Sequence, residues 1–272
     1  MQQRSLQRVA ALGFAAFLTS LMTCTPARAI PEDEVIKKLD SVPVFLIADT
    51  KGNPLIVTVK DDKTKKDTSI LWLFLDQNAA KEAYGNLQKS NDKAAKESQI
   101  GVISLGQAFK AAKEEQKKKE NKVNFQFQSD PKTVTAALDL AKKVDPKTKD
   151  FPGIPVFYAM GTDEKTKAKG FVTFEKDNKQ YVPLFFDKDD LERNVDQIKR
   201  SKPELAKQMN IEVAPLDAVV GNMLEGKNDT EFNKLTFVPS FKAVEYVQSL
   251  KKAAAPGAAP ASVTPASSAP KP

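Results

Sequence analysis

Short apolar runs, each followed by a stretch whose apolar positions recur three and four residues apart, organise the chain from Val42 to Lys252. The first pattern predicts buried strands and the second amphipathic helices. Strands are expected over 44–48, 55–59 and 70–75, forming an antiparallel meander through turns at 49–54 and 61–67. Asp76 is placed to cap a helix running to about residue 96, with Ala79, Ala80, Ala83, Tyr84 and Leu87 on one face. A strand over 100–104 leads into a helix over 105–119 with Leu105, Ala108, Phe109 and Ala112 inward. A strand over 123–128 precedes a helix opened by Asp130-Pro131, the favoured order of cap and proline, with Val134, Ala137, Leu138 and Ala141 as its buried stripe. The order is βββαβαβα.

The same pattern then returns. Val42-Pro43-Val44-Phe45 reappears as Ile154-Pro155-Val156-Phe157 after 112 residues, and Leu73-Phe74-Leu75-Asp76 as Leu184-Phe185-Phe186-Asp187 after 111. The segment 100–105 aligns with 211–216 at an offset of 111, and Phe127, Val134 and Leu140 align with Phe237, Val244 and Leu250 at 110. Ordered matches at a nearly constant offset predict a duplicated unit. Strands over 156–160, 171–174 and 181–186 form the second meander, Asp187 takes the capping place of Asp76, and helices follow over 188–200 and 203–210. After a strand at 211–214, the helix from Pro215 carries Leu216, Val219, Val220, Met223 and Leu224 on one face; a strand near 235–238 and a helix over 241–251 close the unit. The expected fold is α+β: two tandem βββαβαβα repeats, 30–150 and 151–252, related by a pseudo-two-fold axis, with mixed sheets covered by helices.

The ends read differently. Arg4 and Arg8, an apolar run over 9–22 and the small-x-small triplet Ala27-Arg28-Ala29 predict an export signal over 1–29, with the mature chain starting at Ile30. The alternative is a lipoprotein site at Cys24, which the flanking Met22 and Thr23 fit poorly. Cleavage after Ala29 removes the single cysteine, so no disulfide is expected. None is required, because a folded body of about 220 residues buries roughly 70% of its unfolded-chain surface. From Pro31, a short amphipathic helix with Val35, Ile36 and Leu39 is expected to lie on the body, and 253–272, rich in Ala, Pro and Ser, is too poor in apolar bulk to fold. Three of the seven net positive charges fall in the signal, leaving +4. The lysines of 113–122 alternate with glutamates as a solvated helix end does, so nucleic acid is not an expected partner and membrane-surface contact is at most weak.

The chemistry is defined mainly by what is missing. The chain has no histidine, which removes Ser-His and Cys-His nucleophile pairs and histidine metal sites, and no phosphate-binding glycine loop is present. No catalytic residue, cofactor or metal is expected. A carboxylate pair, Asp76 and Asp187, is the one candidate for acid-base work, against the simpler assignment of both as helix caps. The aspartates at 61–62 and 187–190 lack the spacing of a calcium loop.

The Val-Pro-Val-Phe strand and its echo Ile-Pro-Val-Phe-Tyr, the Leu-Phe-Leu-Asp and Leu-Phe-Phe-Asp strand ends, and the 219–226 segment closing in Leu-Glu-Gly resemble the Tic twenty-two-like (Tic22-like) family over about 35–252. That family comprises the intermembrane-space component of the chloroplast inner-envelope translocon and its cyanobacterial relatives. The short bacterial signal departs from a plastid transit peptide and points to a periplasmic relative. The resemblance implies a soluble, non-enzymatic, chaperone-like factor that handles unfolded precursors or outer-membrane proteins, alongside the β-barrel assembly machinery. A holdase needs apolar surface rimmed by charge. The candidates for polypeptide binding are Leu105 and Phe109 on one helix and Leu216, Val219, Val220 and Met223 on its counterpart, facing a groove where the two units join; core packing is the competing assignment for all six. Other readings are an adaptor for a folded partner, a carrier of lipophilic small molecules and a carboxylate-only glycosidase. Both the periplasm and the thylakoid lumen fit the signal.

Overall fold

The computed structural model describes residues 29–60, 67–89, 93–120, 122–162, 166–226 and 229–253. The expected signal up to Arg28, most of the 61–67 turn and the Ala/Pro/Ser tail lie outside the described residues. The first sheet holds β1 (Pro43–Asp49), β2 (Val57–Lys60), β3 (Asp67–Phe74), β4 (Ser98–Ser104) and β5 (Val123–Gln128). In it, β1 lies antiparallel between β4 and β3, and β3 also pairs with β2 and, in parallel, with β5. The second sheet holds β6 (Pro155–Thr162), β7 (Lys169–Phe171), β8 (Phe174–Lys176), β9 (Lys179–Phe185), β10 (Met209–Pro215) and β11 (Leu235–Val238). Here β6 lies antiparallel between β10 and β9, β9 pairs in parallel with β11, and β7 and β8 add to β6 and β9.

Register follows the sequence echo. Phe45 faces Phe74 in one sheet and Phe157 faces Phe185 in the other; Pro43 faces Ser104 as Pro155 faces Pro215; Phe74 faces Gln128 as Phe185 faces Val238. The expected meanders do not form as such. β1 pairs directly with β3, and the segment before β2 meets β1 through the Ala48–Pro54 bridge. A strand buried on both faces needs an apolar neighbour, which β3 supplies and the fully exposed β2 does not. In the second sheet the middle strand divides into β7 and β8 around Val172 and Thr173.

The helices are α1 (Glu32–Leu39), α2 (Gln77–Lys89), α4 (Leu105–Lys117), α5 (Pro131–Val144), α6 (Lys188–Ser201), α8 (Leu216–Glu225) and α10 (Phe241–Ala253), with short turns α3 (Lys93–Lys96), α7 (Pro203–Lys207) and α9 (Asp229–Phe232). The single helix expected up to residue 96 is thus α2 and α3, with 90–92 outside the described residues. A larger departure concerns α5 and α10, which sequence order assigns to their own units. Ala137 of α5 is buried with Phe157, Ala159 and Leu191 of the second unit, while Ala243 and Tyr246 of α10 pack with Phe45, Phe74 and Ala80 of the first. The rings of Phe45 and Tyr246 lie 5.4 Å apart, and Lys81 Nζ stands 4.2 Å from the Tyr246 ring centre. The two sheets therefore exchange their last helices.

Between the sheets lies the largest core. Val44, Leu46 and Leu73 of the first sheet join Val156, Val182 and Leu184 of the second, with Leu39, Leu105 and Met223 brought by α1, α4 and α8. Asp190 locks the exchanged helix α10 in place: it is 7% exposed, accepts from the Phe241 N–H at 2.8 Å and pairs with Arg193. Hydrogen bonds to a charged group contribute about 1.5–3 kcal/mol, so Asp190→Ala is expected to lower unfolding stability in urea by that much. Faster amide exchange over 241–253 is the accompanying sign; Asp190→Asn, which keeps an acceptor oxygen, should recover part of the loss.

Candidate functional site: an apolar groove between the sheets

The first residues of α4 and α8 are pinned to the leading strands. Leu105 N–H donates to the Val42 carbonyl and Leu216 N–H to the Ile154 carbonyl, both at 2.8 Å. Ser104 opens α4 with a capping box: its hydroxyl accepts from Gln107 N–H at 3.0 Å, and Gln107 accepts from Ser104 N–H at 3.1 Å. This capping satisfies N–H groups that a helix start otherwise leaves open. So placed, the two helices border a cavity of about 270 Å³ at the junction. Leu39, Leu105, Phe109 and Phe127 line it from the first unit and Ile154, Leu216 and Val220 from the second, with Gln126 and Asp217 as polar groups. The connection passes the rim at Gly153, whose φ of 69° favours glycine and where a Cβ would stand 3.1 Å from Asp217 Oδ1.

Helix α1 crosses this junction, with Val35 and Leu39 buried. Lys38 Nζ donates to the carbonyls of Asn233 (2.9 Å) and Leu235 (2.8 Å), and the Ser41 hydroxyl donates to the Phe237 carbonyl at 3.0 Å. Burial holds the Lys38 ammonium below its ordinary pKa, against the opposing pull of Glu34. A helix that precedes the first sheet in sequence is thus fastened to the last strand of the second.

Of the six residues proposed from sequence, Leu105, Phe109, Leu216 and Val220 line the cavity. Val219 and Met223 lie in the core away from it, Met223 being 0% exposed, while Leu105, Leu216 and Val220 border the cavity from within the same buried core and Phe109 is only partly buried. A second cavity, about 380 Å³ on the outer face of the first sheet, was not anticipated; Trp72, Phe74, Val57, Leu55 and Leu87 line it, with Gln128 as the polar group. Beside it Ile56, Val57, Val59 and Trp72 are all exposed. The signal was available: Val57 and Val59 alternate around Thr58, and Trp72 is the one tryptophan, but an apolar strand face reads as core until the sheet shows which face is covered.

Asp76 and Asp187 do come together, lining a depression of about 20 Å³ with Asp130 and Ser240. Each is engaged at a helix start. Asp76 accepts from Asn78 and Ala79 N–H (2.8 and 3.0 Å), Asp187 from Asp189 N–H (2.8 Å), Asp130 from Lys132 N–H (2.9 Å) and Ser240 from Ala243 N–H (3.2 Å). Room for about one water leaves no place for a sugar ring between them, so capping accounts for the pair. Among the described residues no group of three or more Asp, Glu, His or Cys is arranged to hold a metal, and no helix is long and apolar enough to cross a membrane.

These features define an α+β protein with two mixed sheets around a shared core, whose 270 and 380 Å³ cavities are lined mainly by apolar side chains. The sequence model of the Tic22-like family matches residues 5–251, and the chain belongs to that family. It is 24% identical over 229 residues to Protein TIC 22, chloroplastic, of Arabidopsis thaliana, covering 84% of this chain and 76% of the relative. Protein TIC 22-like, chloroplastic, of the same plant is 24% identical over 217 residues, covering 78% of this chain and 62% of that one. Among solved structures, Anabaena Tic22, described as a protein of protein transport, superposes with a TM-score of 0.68 at 26% identity over 81% of this chain and 97% of that one. Tic22 from Plasmodium falciparum shares the fold, with a TM-score of 0.63 at 23% identity over 80% of this chain and 98% of that one.

Proposed function

We propose that the chain is an exported, non-enzymatic protein-transport factor that binds unfolded or extended polypeptides in the groove between its sheets. The observation that carries this reading is the junction cavity, where Phe109 of α4 faces Leu216 and Val220 of α8 in an almost wholly apolar lining. Such a surface accepts side chains of many sequences without demanding one hydrogen-bond pattern. The protein-transport description of Anabaena Tic22 supports the same role. In this reading the two units are duplicates related by a pseudo-two-fold axis, and α4 and α8 are counterparts that both line the groove. The compartment is the periplasm or the thylakoid lumen, and the clients are precursors or outer-membrane proteins passed on with the β-barrel assembly machinery.

The test follows light scattering of a β-barrel outer-membrane protein diluted from urea into the mature protein. Suppression is expected at near-stoichiometric ratio, and Phe109→Asp is expected to raise the required ratio several-fold while the far-UV spectrum and unfolding midpoint stay close to the parent. Met223 is unsuitable for this purpose because a polar group there enters the core. Aggregation unchanged by the folded protein sinks the reading; capture of a folded assembly-machine domain instead makes it an adaptor. The 380 Å³ cavity under Trp72 favours a second reading, a lipophilic small-molecule carrier, which requires ligand to copurify.

A further inference from the structure

Ile30 is held more firmly than a chain terminus needs to be. Its side chain is 3% exposed in the core between the sheets, its backbone N–H donates to the Met223 carbonyl at 3.0 Å, and Ala29 just before it is exposed. Met223 lies in the last turn of α8, where carbonyls lack intrahelical partners and together carry about half a negative charge. Gly226 ends that helix in the left-handed conformation, with φ 71°. The charge pattern singles out the same end. Among the described helices of eight residues or more, α1, α2, α4, α5, α6 and α10 each carry lysine or arginine in the last turn, and α8 carries none. Among these described last turns, the one without a lysine or arginine is the one that receives the Ile30 nitrogen.

We propose that this nitrogen becomes a cation on that last turn: cleavage after Ala29 converts the Ile30 amide into an α-ammonium that docks on the C-terminal carbonyls of α8 and fastens α1 across the junction groove. The proposal rests on the export reading, in which Ala27-Arg28-Ala29 is the cleavage site. Hydrolysis of the Ala29–Ile30 bond by a signal-removing peptidase consumes one water and leaves the carboxylate on Ala29 with the departing segment. The amine stays on Ile30 and takes up a proton at neutral pH, since an α-amino group titrates at about 7.7–8.0. One of its three N–H groups keeps the Met223 bond, now charge-assisted and therefore stronger. The others point to the side that exposed Ala29 occupied, where water satisfies them.

Burial also orders the events. In the folded chain the residue after the scissile bond is packed in the core, out of reach of a peptidase that binds extended chain on both sides, so cleavage precedes docking. From the docked end α1 leads to Leu39, which lines the groove. Processing thus strengthens the wall of the proposed binding site.

Three forms of the protein test this: 30–272 with a free Ile30 amine, the same chain acetylated at that amine, and 27–272 retaining Ala27-Arg28-Ala29. Acetylation keeps one N–H but removes the charge, which separates charge from length. At pH 7 the free-amine form is expected to unfold about 2–4 °C above the other two, with tryptic cleavage after exposed Lys37 several-fold slower. Equal midpoints and equal protection of α1 in the acetylated form overturn the proposal. N-terminal sequencing of the exported protein separates the two possible failures. An end other than Ile30 overturns the cleavage reading and this proposal with it; an Ile30 end without an acetylation effect removes the ammonium alone and leaves export standing. Ile30→Gly keeps the amine but loses the apolar anchor, and acetylating it is expected to change nothing further.

Discussion

Phe45→Ala is expected to cost about 3–5 kcal/mol of unfolding free energy, the range for truncating a fully buried phenylalanine. Phe45 is 0% exposed in the strand at the middle of the first sheet and carries the register contact with Phe74. Its deletion removes burial, leaves a cavity bordered by Phe74 and Ala80, and breaks the ring contact with Tyr246. Because Tyr246 belongs to α10, the change should also loosen a helix about 200 residues away in sequence. Urea unfolding gives the magnitude, and amide exchange over 241–253 shows whether α10 is released. A cost below about 1 kcal/mol with α10 still protected would mean that the exchanged helix does not rest on Phe45.

The second large effect is expected at the seam between α1 and α4. Gly106 sits in the first turn of α4, and a Cβ there would stand 2.6 Å from the Ile36 carbonyl oxygen and collide with the Asp40 carboxylate. The carboxylate can swing aside at the loss of the 2.5 Å bond it accepts from the Ser104 hydroxyl; the carbonyl belongs to the backbone of α1 and moves only if the helix does. Gly106→Ala is therefore expected to cost about 1–3 kcal/mol, as overpacking does, and to speed tryptic cleavage at Lys37 as α1 lifts. Gly85 and Gly221 supply the control, since a Cβ at either meets nothing within 4 Å. Alanine at those helical positions is expected to be neutral or to stabilise by about 0.5–1 kcal/mol. Since Leu39 at the end of α1 lines the groove, Gly106→Ala should also alter the proposed client binding, through position rather than chemistry.

Local order was written plainly in the sequence. Apolar runs placed the strands to within a few residues, and Asp76, Asp130 and Asp187 were readable as caps because an aspartate before a helix satisfies N–H groups wherever the helix later packs. The absence of histidine limits the chemistry whatever the fold. Long-range arrangement was not readable in the same way. The stripe around Ala137 and the one around Ala243 state which face of α5 and α10 is buried, but helical periodicity carries no information about the partner, and each helix found the other unit's sheet. Phe109 and Met223 carry the same apolar signal, yet one borders a cavity and the other is sealed in the core, because that difference depends on how closely α4 and α8 approach across the junction. Trp72 in its apolar run and Val57 alternating with Val59 read as core residues do, and only the packed structure shows that the cover, which includes Ala83 and Leu87 of α2, leaves a cavity over them. The sequence by itself determined the strands, the helices, their caps and the reactive groups available, because these follow from neighbours a few residues apart. Which sheet each closing helix covers, and which apolar faces remain open, was decided by tertiary structure, because burial is shared among segments more than 100 residues apart whose mutual approach no local pattern records.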